Sequence, residues 1–280
     1  MKTGLQKIVQ YIPDRRILDE RPAFDGDISQ PLFHKGSEVG CITLHGIGGT
    51  PANIRVVADA LIAEGYTVLS PTLPGHGQTV RALNASTDRQ WVACVLDAYE
   101  RLKAEGCTQV YALGLSLGGI LAATLATVRP LDGLALICAP IEMQRFLHTA
   151  RRISLFVPFI RYPDEEDEKN AWRANPYAQM YNGFSTLKLR DLNRLCRRLR
   201  KNLDKIHCPT LWFTARYDDK VAPNSKEIFQ SGAVNVPEFS DIYLENSPHG
   251  CTYGPEKELV AMRAREFVRA LVDKRAACPV

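Results

Sequence analysis

The sequence predicts an α/β fold, a mainly parallel central sheet flanked by helices, and three observations carry that prediction. From Glu38 onward, short apolar runs alternate with amphipathic stretches, which is the pattern of successive βαβ units. The alternation stops at Ile141 and resumes near residue 206, as it would if a helical block were inserted over one sheet. The 280 residues suffice for one sizeable core, since α/β chains of this length routinely form a single domain. The expected organisation is an N-terminal arm at 1–30, a core built from 31–140 and 206–280, and a cap at 141–205.

Residues 1 to about 30, with Pro13, Pro22 and Gly26, have weak periodicity and read as an arm lying against the domain. "VGCITL" reads as a strand, followed by "TPANIRVVADALIAEG" as a helix with Thr50 at the N-cap, Pro51 at the first helical position and Gly65 as terminator. "YTVLS" is the next strand. "TDRQWVACVLDAYERLKAEG" opens on a capping box between Thr87 and Gln90 and closes at Gly106. "TQVYALG" is a strand, a helix follows it, and "GLALICAP" is another strand. Beyond the insertion come strand patterns at "TLWFTAR" and "FSDIYLE" and a last helix starting near Pro255.

The inserted block holds an aromatic-rich piece, "LFVPFIRY", an acidic run, "DEEDEK", and a basic helix, "LRDLNRLCRRLRKNL". Leu192, Leu195, Leu199 and Leu203 recur at helical spacing, with Arg194, Arg197, Arg198, Arg200 and Lys201 on the other faces. That is an amphipathic helix packed on the core and solvated elsewhere; contact with an anionic membrane surface or an acidic partner is the less favoured reading.

Composition removes several function classes. A hydrophobic share of 45% and a charged share of 24% are those of ordinary soluble globular chains. The net charge is only +4, and no nucleic-acid-binding motif accompanies the basic run, so nucleic acid is not an expected partner. No apolar run has the length of a signal sequence or a membrane span, so a cytoplasmic protein is expected. The cysteines, at 41, 94, 107, 138, 196, 208, 251 and 278, fall singly with no C-x-x-C or zinc-ligand spacing. They are expected to be reduced and mostly buried, with neither a metal nor a cofactor required.

The chemistry centres on "YALGLSLGGILAATLA", Tyr111 to Ala126. "GLSLG" matches G-x-S-x-G and lies where an apolar strand pattern meets a helix pattern, the context in which that motif has mechanical meaning. A serine on so tight a turn holds strained backbone angles, and the residues two positions to either side come too close for side chains, so glycines are needed there. The turn lifts Ser116 above the carboxyl end of the sheet and sets it at a helix N-terminus, whose free amides favour developing negative charge.

Serine is a weak nucleophile at neutral pH, so it needs a histidine to take its proton and an acid to orient that histidine. In this architecture the partners follow in the order acid, then histidine. His249, in "ENSPHGCTYG" after the last strand pattern, is late enough to qualify. For the acid, "TLWFTARYDDKVAP" supplies Asp218 and Asp219, and Glu142 follows an earlier strand; the order of preference is Asp218, Asp219, Glu142. Two backbone amides must face the oxyanion of a tetrahedral intermediate. Leu117, immediately after the serine, is one, and Ile47, in the Gly-rich turn "LHGIGGTP", is the second.

With these residues in place the sequence resembles the α/β-hydrolase fold, and within it the bacterial carboxylesterases and monoacylglycerol lipases, from about residue 31 to the C-terminal helix. The resemblance rests on "LHGIGGTPANIRVVADALIAEGYTVLSPTLPGHG", "GLSLGG", "ARYDDKVAP" and "SPHG". It implies that the H-G turn forms the oxyanion loop, that Asp218 is the triad acid, that His249 is the base, and that His45 and His76 order loops around the site. It fades over 141–205, where Phe146, Phe156, Phe159 and Ile160 are candidates for an acyl pocket. The expected protein is a serine esterase acting on hydrophobic carboxylic monoesters through an acyl-enzyme, with a small-molecule ester as its partner. Other acyl hydrolases (thioesterase, aminopeptidase, carbon-carbon hydrolase) and a slow-turnover ligand sensor are the alternatives.

Overall fold

The computed structural model describes residues 24, 26–145, 147, 152, 154, 157–161 and 175–277. Seven strands form the main sheet: β1 (Leu32–His34), β2 (Val39–Leu44), β3 (Thr67–Ser70), β4 (Gln109–Leu115), β5 (Gly133–Ile137), β8 (Thr210–Tyr217) and β9 (Phe239–Pro248), in the spatial order β1-β3-β2-β4-β5-β8-β9. All neighbours are parallel except β1, which runs antiparallel to β3. Between β5 and β8 in the chain lie β6 (Phe159–Arg161) and β7 (Gly183–Ser185), a separate antiparallel pair.

The central strands read as near-continuous apolar runs because both faces of a parallel sheet are covered. Alternate residues of β4 divide between the two sides. Val110 and Ala112 join a core with helices α3 (Asp88–Ala104), α4 (Leu117–Ala126) and α5 (Lys188–Arg200). Tyr111, Leu113 and Leu115 join a second core with α1 (Arg55–Ala63) and α7 (Lys257–Ala277), represented by Val57, Leu61, Val260 and Val268. The period-two alternation of side chains across a strand thus builds two cores from one sheet. No helix among the described residues is long and apolar enough to cross a membrane.

Local signals act as their chemistry dictates, with three adjustments. The Thr87–Gln90 capping box forms, with Gln90 N–H donating to Thr87 Oγ1 (3.3 Å) and Thr87 N–H to Gln90 Oε1 (2.9 Å). The helix expected from Thr50 instead begins with a 3-10 turn, Pro51–Ile54, before α1; Thr50 makes no side-chain cap bond. Asn53 in that turn donates to the Tyr177 and Gln179 carbonyls (2.8 and 3.1 Å), so the first turn is shaped by a distant segment. A short helix, α2 (Val80–Ala85), also lies in the loop after β3, capped by Thr79 Oγ1, which accepts from Ala82 N–H at 3.1 Å.

The basic helix α5 ends at Arg200, and Leu203 lies in the 3-10 turn that follows, buried like Leu192, Leu195 and Leu199. Its arginines are partly committed. Arg194 and Arg198 both donate to Asp88 (2.9–3.0 Å), whose side chain is buried at the start of α3. Burial pushes the Asp88 carboxyl up, but the two guanidiniums outweigh it and hold it below the usual range. Arg200 pairs with Glu142. The seven described cysteines are all free, and all but Cys94 are buried. Helix α6 (Ser225–Gly232) completes the connection from β8 to β9.

Candidate active site

Ser116 occupies the turn from β4 to α4 with φ 55° and ψ −115°, a conformation that an L residue holds only when its surroundings enforce it. The flanking glycines do so by close approach. A Cβ at Gly114 would overlap the Gly118 carbonyl, and one at Gly118 would overlap the Leu44 carbonyl oxygen of β2. One at Gly119 would stand 2.7 Å from the Ala139 Cβ. The Ser116 N–H donates to the Ile137 carbonyl (2.8 Å), tying the turn to β5.

Sheet register delivers the other two side chains. Tyr217 of β8 pairs with Pro248 of β9 after a bulge between Ala215 and Tyr217, so the next residues, Asp218 and His249, leave the same sheet edge side by side. The bulge re-aims the strand ends, a usual role for such irregularities beside functional groups. His249 Nδ1 lies 2.8 Å from Asp218 Oδ2, and His249 Nε2 lies 2.9 Å from Ser116 Oγ.

Asp218 is nine-tenths buried, its side chain 9% exposed, whereas that of Asp219 is 57% exposed and paired with Lys220. The Lys220 and Val221 N–H groups donate to Asp218 Oδ1 at 2.8 and 3.0 Å, leaving Oδ2 for the imidazole. Burial raises the Asp218 carboxyl, but the charge and hydrogen bond of His249 and these two amides outweigh it, so the group sits below the usual carboxylate range. An ionised Asp218 only accepts, so Nδ1 carries the imidazole proton and Nε2 is left to accept from the Ser116 hydroxyl. Glu142, the third acid considered, is engaged instead with Arg200 and, through its backbone, with Ser225.

The Ile47 and Leu117 amides donate no hydrogen bond within the described residues. Leu117 is the first residue of α4, where an N–H has no intrahelical partner. The loop carrying Ile47 is held open by its neighbours. Gly48 has φ 73°, and its carbonyl accepts from the Tyr181 N–H (3.1 Å). A bridge from Gly49 to Met180 adds to this brace. Nothing local in the sequence signals the brace by Met180 and Tyr181, because those residues lie some 130 positions downstream.

His45 and His76 are fully buried with their rings 5.0 Å apart, edge to face. His45 joins two loops: its Nδ1–H donates to the Gly46 carbonyl (2.9 Å), and its Nε2 accepts from the Leu73 N–H (3.1 Å). Burial lowers the His45 imidazole to about 4 and His76 in the same direction, so both are neutral. Of the acyl-pocket candidates, Phe159 and Ile160 are buried in the apolar cluster that also contains Tyr181, Leu189 and Leu192. Phe146 and Phe156 lie outside the described residues. A further group escaped the sequence reading: Cys138, at φ 47° just beyond β5, borders Asp218.

Residues 41–265 match the model of the alpha/beta hydrolase family. A carboxylesterase of Bacillus subtilis (strain 168) is 30% identical over 86% of this chain and 97% of its own length. A thermostable monoacylglycerol lipase of Bacillus sp. (strain H-257) is 31% identical over 89% and 97%. Among solved structures, one described with LipS and LipT, two metagenome-derived lipolytic enzymes, superposes with a TM-score of 0.77 at 27% identity, covering 87% of this chain and 98% of its own. The strand order, the serine turn and a match across most of the chain agree: the chain belongs to the alpha/beta hydrolase family.

Proposed function

We propose that the protein is a serine esterase that hydrolyses hydrophobic carboxylic monoesters through an acyl-enzyme intermediate, with Ser116 as nucleophile, His249 as base and Asp218 as the orienting acid. The observation that carries this reading is the hydrogen-bonded chain from Ser116 Oγ through His249 to Asp218, at 2.9 and 2.8 Å. His249 Nε2 takes the hydroxyl proton as Ser116 attacks the ester carbonyl and returns it to the departing alcohol. Asp218 stabilises the imidazolium formed on the way. The Leu117 and Ile47 amides receive the oxyanion; they are already oriented by α4 and by the braced loop, so little reorganisation accompanies charge development. Water, activated by the same imidazole, then releases the acid.

The substrate class follows the curated carboxylesterase and monoacylglycerol lipase relatives. We assign the acyl side to the inserted segment, with Phe159 and Ile160 backing it. The Ser116→Ala variant should lose on the order of 10⁴-fold or more of kcat/KM on a medium-chain p-nitrophenyl ester. A phosphonate probe should label the native protein once, on Ser116. Retained turnover in the variant, or a label on another residue, would remove Ser116 from the mechanism.

A further inference from the structure

Three metal-ligating side chains meet next to Ser116, with a fourth in contact with one of them, although all are scattered through the sequence. Cys138 follows β5, Asp218 follows β8, and His249 and Cys251 follow β9. The donor atoms of Cys138, Asp218 and His249 all lie within 4.8 Å of one another. The Sγ of Cys251 is 3.6 Å from that of Cys138. Tetrahedral zinc, with bonds of about 2.3 Å to sulfur and about 2.0–2.2 Å to nitrogen and oxygen, holds its donors roughly 3.2–3.8 Å apart. The sulfur pair already has that spacing, and the donors of Cys138, Asp218 and His249 lie within 4.8 Å of one another, so Cys251 would join them through its contact with Cys138.

We propose that Cys138, Cys251, Asp218 and His249 form a site for a soft divalent cation, zinc being the natural occupant, and that filling it shuts off the Ser116 centre. Two thiolates, one imidazole and one carboxylate are a donor set suited to zinc and poorly suited to magnesium or calcium. Asp218 is oriented for the task, because the Lys220 and Val221 amides hold its Oδ1 and leave Oδ2 facing the imidazole. Binding releases the two thiol protons to solvent. His249 ligates through Nδ1 as a neutral ring, so its proton moves to Nε2. The nitrogen that faces Ser116 then carries a hydrogen and accepts nothing, and the Asp218 hydrogen bond is replaced by a metal bond. Inhibition would therefore arise from a change of tautomer, with no blockage of the substrate path.

The binding half of this inference stands apart from the esterase reading; the inhibitory half rests on it. Reduced, metal-free protein is titrated with Co²⁺, which gives a thiolate-to-metal charge-transfer band in the near ultraviolet only when sulfur ligates. The expected result is one equivalent bound with that band, displaced by Zn²⁺ and strongly weakened in Cys138→Ser, which retains only the Cys251 thiolate. Zn²⁺ should inhibit ester hydrolysis reversibly, EDTA restoring it, while Cys138→Ser needs about tenfold or more additional metal for the same effect. Cys251→Ser, which keeps three donors, provides a second variant should Cys138→Ser fold poorly, and should weaken the band. A titration without the band, or a band unchanged in both variants, overturns the site. A band accompanied by full activity overturns the inhibition alone. A protein that binds cobalt in this way but cleaves no ester would count against the esterase reading and leave the metal site intact.

Discussion

The backbone strain at Ser116 can be weighed directly by comparing two variants that lack its hydroxyl. Ser116→Ala and Ser116→Gly both remove the hydroxyl and its bond to His249, so they differ only in whether a Cβ remains at φ 55°, ψ −115°. A non-glycine residue held in such a region costs about 1–3 kcal/mol. Glycine relieves that cost but gives the unfolded chain extra freedom, a loss of about 0.4–1 kcal/mol. The balance leaves Ser116→Gly more stable than Ser116→Ala by about 0.5–2 kcal/mol. In a chain of this size that corresponds to a melting temperature higher by roughly 1–5 °C. Calorimetry or urea unfolding of the two proteins side by side, at a pH near neutrality, reads the difference. If the alanine variant matches or exceeds the glycine variant, the turn stores no strain and the account of the surrounding glycines as enforcers of that geometry fails.

Three further expectations follow from the same geometry. Asp218→Asn should lower kcat on the order of 10⁴-fold, because an amide stabilises the wrong imidazole tautomer, while Asp219→Asn should leave turnover nearly unchanged; steady-state kinetics on one ester separates them. Acid should destabilise the fold before carboxylates titrate. His45 is neutral in the folded state down to about 4 but protonates near 6.5 when unfolded, so its contribution is complete above pH 6.5 and is lost as pH falls toward 4. That loss is about 2 kcal/mol by pH 5, with His76 adding in the same direction. A urea midpoint unchanged between pH 7.5 and 5 would contradict it. Gly118→Ala places a methyl group against the Leu44 carbonyl, a backbone atom that cannot turn aside, so the variant should be recovered mainly unfolded or lose several kcal/mol; a native-like melting curve would show that the elbow has room to spare.

What the sequence determined by itself was local or periodic. Alternating apolar and amphipathic runs specify strands and helices because side-chain direction repeats every two or every 3.6 residues. The Thr87 capping box and the glycines around Ser116 are legible because each acts on backbone only a few residues away. The late position of His249 is legible in the same way, since strand order along a parallel sheet constrains which loops share an edge. The choice among Asp218, Asp219 and Glu142 belongs to the tertiary structure. Asp218 and Asp219 are adjacent in a turn, and only the β8–β9 register, with its bulge, decides which one meets the imidazole and which one meets water. Glu142 was removed by Arg200, fifty-eight residues away. The bracing of the Ile47 loop by Met180 and Tyr181 and the meeting of Cys138 with Cys251 were likewise invisible in the chain. Each is a contact between segments far apart in sequence, and no local propensity records which distant strand ends the sheet will bring together.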